Sequence, residues 1–263
     1  MLEVIAKGQT TDLHPHPMLF VHGAFQDSRS WDEHFLDFYA EQGFLTVALS
    51  LRGHGASPAS KSLRRCSISD YVDDVVSVAK TMTPRPVMVG HSMGGFVVQK
   101  YLESNDAPAA VLLASTPPRG QMGSLLRSFR QHPWRSSKFA FTGRPADLYG
   151  GTTAGARDLF FGDPAPDRLI NSITERLQPE STRALLVDMG VPAVARKSRT
   201  TAPIFVLGAE QDAIYPYRDV RATARFYGTE AKFIPDIGHA MTVEPRWFVV
   251  AECILSWLAH NEL

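Results

Sequence analysis

The chain has 263 residues, with 27 Lys and Arg against 27 Asp and Glu, so its formal charge is zero. Hydrophobic residues at 44% and charged residues at 21% exclude a disordered or fibrous chain. The zero balance speaks against nucleic acid as the main partner, and Cys66 and Cys253, far apart in the chain, form no zinc or iron–sulfur pattern.

In chain order, residues 2–6 read as an antiparallel edge strand. Short runs rich in Val, Ile, Leu and Phe follow at 18–21, 45–49, 86–89, 110–114, 203–207 and 231–234. Most end in Gly, Ser or a charged turn, the pattern of strands buried on both faces. Helix-like stretches lie between them at 30–42, 69–82, 93–104, 217–227 and 246–259. Strand and helix alternating in this way predict a mostly parallel sheet flanked by helices.

The rhythm breaks after Ala114. From Thr116-Pro117-Pro118 to Thr201 no strand is evident, and helix candidates at 124–131, 137–141, 154–161, 166–177 and 181–189 are separated by Pro and Gly. The chain therefore divides into a first core part, 1–116, an all-helical cap, 117–201, and a second core part, 202–263. Residues 117–199 hold thirteen basic and seven acidic residues, a net +6, so the remainder carries −6. Solvated helix faces account for such an excess, and attraction of an anionic substrate or an anionic surface is the sharper alternative.

The start, Met1-Leu2-Glu3-Val4-Ile5-Ala6-Lys7, lacks the features of a secretory signal, and no apolar run reaches the ~18–20 residues that span a bilayer. A cytoplasmic protein without a transmembrane segment is expected.

The strongest local signal is Gly90-His91-Ser92-Met93-Gly94-Gly95, directly after the 86–89 run and before a helix. Glycine two positions either side lets a serine occupy a very tight strand-to-helix turn that pushes its hydroxyl outward. The turn also aims the Met93 N–H at the same point. A serine needs a base, and of nine histidines only His239, in Asp236-Ile237-Gly238-His239, follows a late strand. The base needs an acid. Asp212, in the loop after the 203–207 strand, fits best, with Glu210 as its rival. The order Ser92, Asp212, His239 is that of a nucleophile-elbow sheet. The turn His22-Gly23-Ala24-Phe25 supplies a second oxyanion donor to pair with Met93, from either Ala24 or Phe25.

With these residues in place the chain resembles the α/β-hydrolase fold superfamily, near its small serine esterase, lysophospholipase-like and monoacylglycerol-lipase-like branch. The matching motifs are His22-Gly23-Ala24, Arg52-Gly53-His54-Gly55-Ala56-Ser57, Gly90-His91-Ser92-Met93-Gly94-Gly95, Asp212 and Gly238-His239. The family's aspartate two residues before the arginine of the second motif is Ser50 here. The resemblance implies a helical cap where the rhythm breaks, and it makes Arg52 and His54 anchors of a loop near the site. Ser92 excludes the relatives whose nucleophile is an aspartate.

The function expected is hydrolysis of a carboxylic ester with a hydrophobic acyl or aromatic part through an acyl-enzyme, with no cofactor or metal. The cap aromatics Phe129, Trp134, Phe139, Phe160 and Phe161, with Phe25, are candidate substrate contacts, although most such side chains pack a cap onto its body. A carbon–carbon bond hydrolase, a thioesterase or lactonase, or a cofactor-free perhydrolase would use the same triad. A non-catalytic ligand-binding or interaction protein is the alternative of another class. Acyl length, head group and oligomeric state are not encoded in any motif.

Overall fold

The computed structural model describes residues 1–190 and 201–263. Seven strands form one sheet: β1 (Val4–Lys7), β2 (Met18–Val21), β3 (Thr46–Leu49), β4 (Val87–His91), β5 (Ala110–Leu113), β6 (Ile204–Ala209) and β7 (Ala231–Ile234). Their order is β1-β3-β2-β4-β5-β6-β7. Only β1 runs antiparallel, pairing Val4 with Leu49 and Lys7 with Thr46. Every residue of β2 to β6 is buried, as expected for strands covered on both sides, whereas β1 and β7 at the edges are partly exposed.

Successive side chains alternate between two cores. Leu19, Val21, Met88 and Leu112 face α3 (Ile68–Ala79) and α4 (Met93–Tyr101), which contribute Val75 and Val97. Phe20, Val89 and Val111 face the other way, towards Trp31 and Tyr39 of the first two helices and Ile254 of the last. Each large apolar side chain buried in these layers stabilises the fold by about 1.5–3 kcal/mol. A capping box starts α3: Ser67 Oγ accepts from Asp70 N at 3.1 Å, and Asp70 Oδ2 accepts from Ser67 N at 2.7 Å.

The predicted helix over 30–42 is two helices, α1 (Arg29–Asp32) and α2 (Phe35–Glu41). They break at His34, whose non-helical backbone lets its ring stack on Trp247 at 4.5 Å. Between β5 and β6 the structure has α5 (Met122–Gln131), α6 (Pro133–Thr142), α7 (Pro145–Tyr149), α8 (Thr153–Phe160) and α9 (Asp167–Thr174). A π-helical turn, Arg183–Asp188, follows, and no strand occurs among the described residues of this insertion. Pro133 makes α6 longer than the 137–141 stretch because proline suits a helix's first turn, and α7 starts at Pro145 for the same reason. After β6 come α10 (Tyr217–Tyr227) and α11 (Trp247–His260).

The insertion packs on the core partly through Phe161, Ile170 and Ile173, which share a buried cluster with Ala240 and Val243. Arg196, Lys197 and Arg199, counted in the basic excess, lie outside the described residues, as do the other residues of the predicted cap between 191 and 200. No helix of the described residues is long and apolar enough to cross a membrane.

Candidate active site

Ser92 links the last residue of β4 to the first of α4 with φ 53° and ψ −117°. A non-glycine residue held there is strained by about 1–3 kcal/mol, and its surroundings must over-determine it. Ser92 N donates to Leu113 O at 2.9 Å, and Thr116 N donates to Ser92 O at 3.2 Å. The flanking glycines are required sterically. A Cβ on Gly90 would lie 2.6 Å from the Gly94 carbonyl oxygen, and one on Gly94 would strike the Val21 carbonyl oxygen.

The turn presents Ser92 Oγ 2.9 Å from His239 Nε2. On the far side of the ring, His239 Nδ1 lies 2.8 Å from Asp212 Oδ2. The other oxygen of that carboxylate accepts from the Ile214 and Tyr215 N–H groups at 2.8 and 2.9 Å. A carboxylate so placed only accepts, so Nδ1 carries the proton and Nε2 is left to accept from the serine. All three side chains are buried. Glu210 stands elsewhere, accepting from Tyr217 OH at 3.1 Å in an exposed contact, and Asp236 pairs with Arg246.

His91 supports the histidine from behind. Burial lowers its pKa to about 3, so it is neutral, and its Nε2 lies 2.8 Å from the His239 carbonyl oxygen, to which it donates.

Two cavities meet at Ser92, with volumes of about 60 and 100 Å³. Ala24, Phe25, Phe160 and Ile214 line both of them. The smaller adds Gln26, His91, Phe161 and His239; the larger adds Met93, Leu125, Phe139, Leu148, Leu185 and Met189. Neither is lined by Lys, Arg, Asp or Glu among the described residues. Phe25, Phe139, Phe160 and Phe161 thus reach the candidate site. Phe129 and Trp134 do not: they are 52% and 82% exposed on the outer side of the insertion and line neither cavity. Among the described residues, the basic side chains of the insertion line neither cavity. Arg127, Lys138, Arg157, Arg176 and Arg183 each pair with a carboxylate. No cluster of three or more His, Cys, Asp and Glu among the described residues is arranged to hold a metal ion.

Residues 18–251 match the model of the alpha/beta hydrolase family. The chain belongs to that family. Among curated relatives, the monoacylglycerol lipase of Mycolicibacterium smegmatis is 21% identical over 260 residues, covering 96% of this chain and 91% of that protein. The non-heme chloroperoxidase of Burkholderia pyrrocinia is 32% identical over 108 residues, which span only 39% of this chain and 38% of that one. A solved structure of a thermophilic esterase from Thermogutta terrifontis superposes with a TM-score of 0.75 at 20% identity, covering all of this chain and 94% of its own.

Three carboxylates of this α/β-hydrolase were not singled out from sequence. Glu180, after α9, is completely buried, with Oε2 3.0 Å from His54 Nε2 and Oε1 accepting from Tyr71 OH at 2.6 Å. Burial alone would raise its pKa, but His54, Tyr71 and the Ser181 N–H together hold it below the ordinary value. Burial likewise pulls His54 down, and the Glu180 charge more than offsets it, so the His54 pKa is raised. Glu244 accepts from Gly238 N at 2.9 Å and Gly162 N at 3.0 Å, tying the insertion to the His239 loop. Burial raises its pKa to about 7. Glu3, on the segment leading into β1, accepts from Ser50 Oγ at 2.6 Å and Ala56 N at 3.0 Å. The Ser50 it holds is the residue two positions before Arg52. The only sequence signal for these groups was their acidity, because each partner comes from another element.

Arg52 and His54 differ in role. Arg52 Nη2 pairs with Asp74 Oδ1 at 2.6 Å and anchors its turn to α3. His54 instead faces Glu180, which lies between α9 and the π-helical turn of the insertion.

Proposed function

We propose that this α/β-hydrolase cleaves an uncharged carboxylic ester with an apolar acyl part, using Ser92 as nucleophile, His239 as base and then acid, and Asp212 to orient the histidine. The row of contacts from Ser92 Oγ through His239 to Asp212, opening on two apolar cavities, carries this reading. Ser92 Oγ attacks the ester carbon while its proton passes to His239 Nε2. The resulting oxyanion is held by the N–H groups of Ala24 and Met93. Met93 is the first residue of α4, so its N–H has no use within the helix. His239 then protonates the leaving alcohol. In the second half it takes a proton from water, which attacks the acyl-enzyme, and passes that proton to Ser92 Oγ as the acid leaves.

The larger cavity suits the acyl chain and the smaller one the alcohol side. Gln121, Ser124 and Tyr215 also border the larger cavity, but they bond to Leu185 O, Ile214 O and Thr116 Oγ1, so they leave it an apolar lining. An uncharged acyl chain fits such a wall better than the anionic group that the basic cap would favour.

A relative from Acinetobacter calcoaceticus, named a bifunctional esterase/perhydrolase and 36% identical over 107 residues (39% of this chain, 38% of that one), favours a second use of the same intermediate. In that use hydrogen peroxide replaces water and the product is a peracid.

Turnover of p-nitrophenyl acyl esters tests the proposal. The Ser92→Ala variant should lose roughly 10⁴–10⁶ in kcat. Wild-type turnover by that variant would remove Ser92 from the reaction, and absence of fluorophosphonate labelling at Ser92 in folded protein would favour a non-enzymatic role.

A further inference from the structure

Phe25, next to the proposed oxyanion donor Ala24, has φ 70°, a left-handed conformation that a bulky side chain resists. Something outside the turn must hold it there. The cap does so on both sides of the residue. Gln178 N donates to Phe25 O at 2.8 Å, and Phe25 N points at Glu180 Oε2 at 3.5 Å, a long contact sustained by a full negative charge. The same short segment reaches two other parts of the loop system. Gln178 Nε2 donates to Asp27 Oδ2 at 2.6 Å, and Gln178 Oε1 accepts from Gly55 N at 3.0 Å.

The Glu180 carboxylate is itself fixed from three directions: Tyr71 OH on α3, the Ser181 N–H at 2.6 Å, and His54 on the Arg52–Ser57 turn. Such an ionised, fully buried group is costly to keep unless it is paired, and pairing alone does not explain its position against Phe25. Ala24 and Phe25 line both cavities, so any rotation of their peptide is felt at Ser92.

We propose that Glu180 is a positioning residue for the hydrolysis: from the cap, backed by His54, it holds the Phe25 N–H and so fixes the Ala24–Phe25 peptide, which through the Ala24 Cα orients the preceding Gly23–Ala24 peptide so that the Ala24 N–H meets the oxyanion. This rests on the ester-hydrolase reading above. It means that the oxyanion site is completed only when the cap is seated.

The test compares wild type with Glu180→Gln, which keeps the shape and removes the charge. Steady-state kinetics on the best p-nitrophenyl ester are combined with inhibition by two ketones carrying the same acyl chain. A trifluoromethyl ketone adds Ser92 Oγ at its carbonyl carbon, passes the serine proton to His239 and places an oxyanion in the hole; the methyl ketone binds without adding. In Glu180→Gln we expect kcat to fall about 10- to 100-fold, less than the roughly 10²–10³ lost with a whole donor. KM should stay within about threefold. Trifluoromethyl ketone affinity should fall by the same factor as kcat/KM, methyl ketone affinity should not change, and Glu180→Asp should recover part of the loss.

An unchanged kcat, or equal weakening of both ketones, overturns the proposal. Should Glu180→Gln fail to fold, the double variant His54→Gln/Glu180→Gln leaves no charge unpaired and is judged by the same criteria. Fluorophosphonate labelling of wild-type Ser92 reports separately on the hydrolase reading, because it does not depend on any Glu180 variant.

Discussion

Asp212 touches His239 with one carboxylate oxygen and the backbone of its own loop with the other. Oδ2 lies 2.8 Å from Nδ1, while Oδ1 takes the Ile214 and Tyr215 N–H groups. The carboxylate therefore cannot turn without breaking two backbone bonds, and the imidazole it faces is held in one tautomer.

Replacing Asp212 by Asn puts an N–H₂ against an N–H or flips the ring's proton to the serine side. Asp212→Asn should lower kcat about 10⁴-fold, measured with the same ester at neutral pH. Glu210→Gln should stay within about twofold of wild type, because the Glu210 carboxylate accepts from Tyr217 OH in an exposed contact. A large loss in Glu210→Gln with a small one in Asp212→Asn would transfer the acid role to Glu210.

Glu244 carries a signed pH dependence. Its folded pKa is raised, from 4.5 to about 7, so the folded state holds its proton more tightly than the unfolded chain does. The associated stabilisation is complete below pH ~4.5 and is lost as pH rises through ~7, a change on the order of 3 kcal/mol. Glu244→Gln has no proton to lose. Urea unfolding at pH 5 and pH 8 should show wild type losing more stability over that interval than the variant does. Parallel losses would mean that Glu244 titrates normally.

The larger cavity should set acyl length. Leu125 lines it and is only partly buried, so Leu125→Ala enlarges the wall without a large cost in stability. Across a p-nitrophenyl series the variant should shift its optimum towards longer chains. Each additional buried CH₂, worth ~0.8 kcal/mol, would raise relative kcat/KM about fourfold until the space is filled. An unmoved optimum would place the acyl chain in the smaller cavity.

Elements whose cause is local were legible in the sequence. The 18–21 run is a strand because Met18, Leu19, Phe20 and Val21 can be buried only between two helix layers. The Gly90–Gly94 spacing forecasts a strained turn because no side chain fits at either position. Asp212 and His239 were candidates by their place after late strands, and the structure sets His239 against Ser92 and Asp212 against His239. What could not be read depends on distant pairing. His54 and Glu180 are 126 positions apart, and neither sits in a pattern that names the other. The cap aromatics misled for a related reason. Phe139 turns inwards to meet Phe25 edge-on at 5.8 Å, while Trp134, five residues earlier on the same helix, faces outwards. An aromatic count does not distinguish the faces of a helix.

The carboxylate of Glu3 gives the outer strand a duty beyond closing the sheet. It is the acceptor for both the hydroxyl of Ser50 and the amide of Ala56, and its own N–H donates to Ser57 Oγ at 2.8 Å. Trimming the chain before residue 4, or fusing a bulky tag that pulls this segment away, would unclasp the turn bearing His54 from a distance.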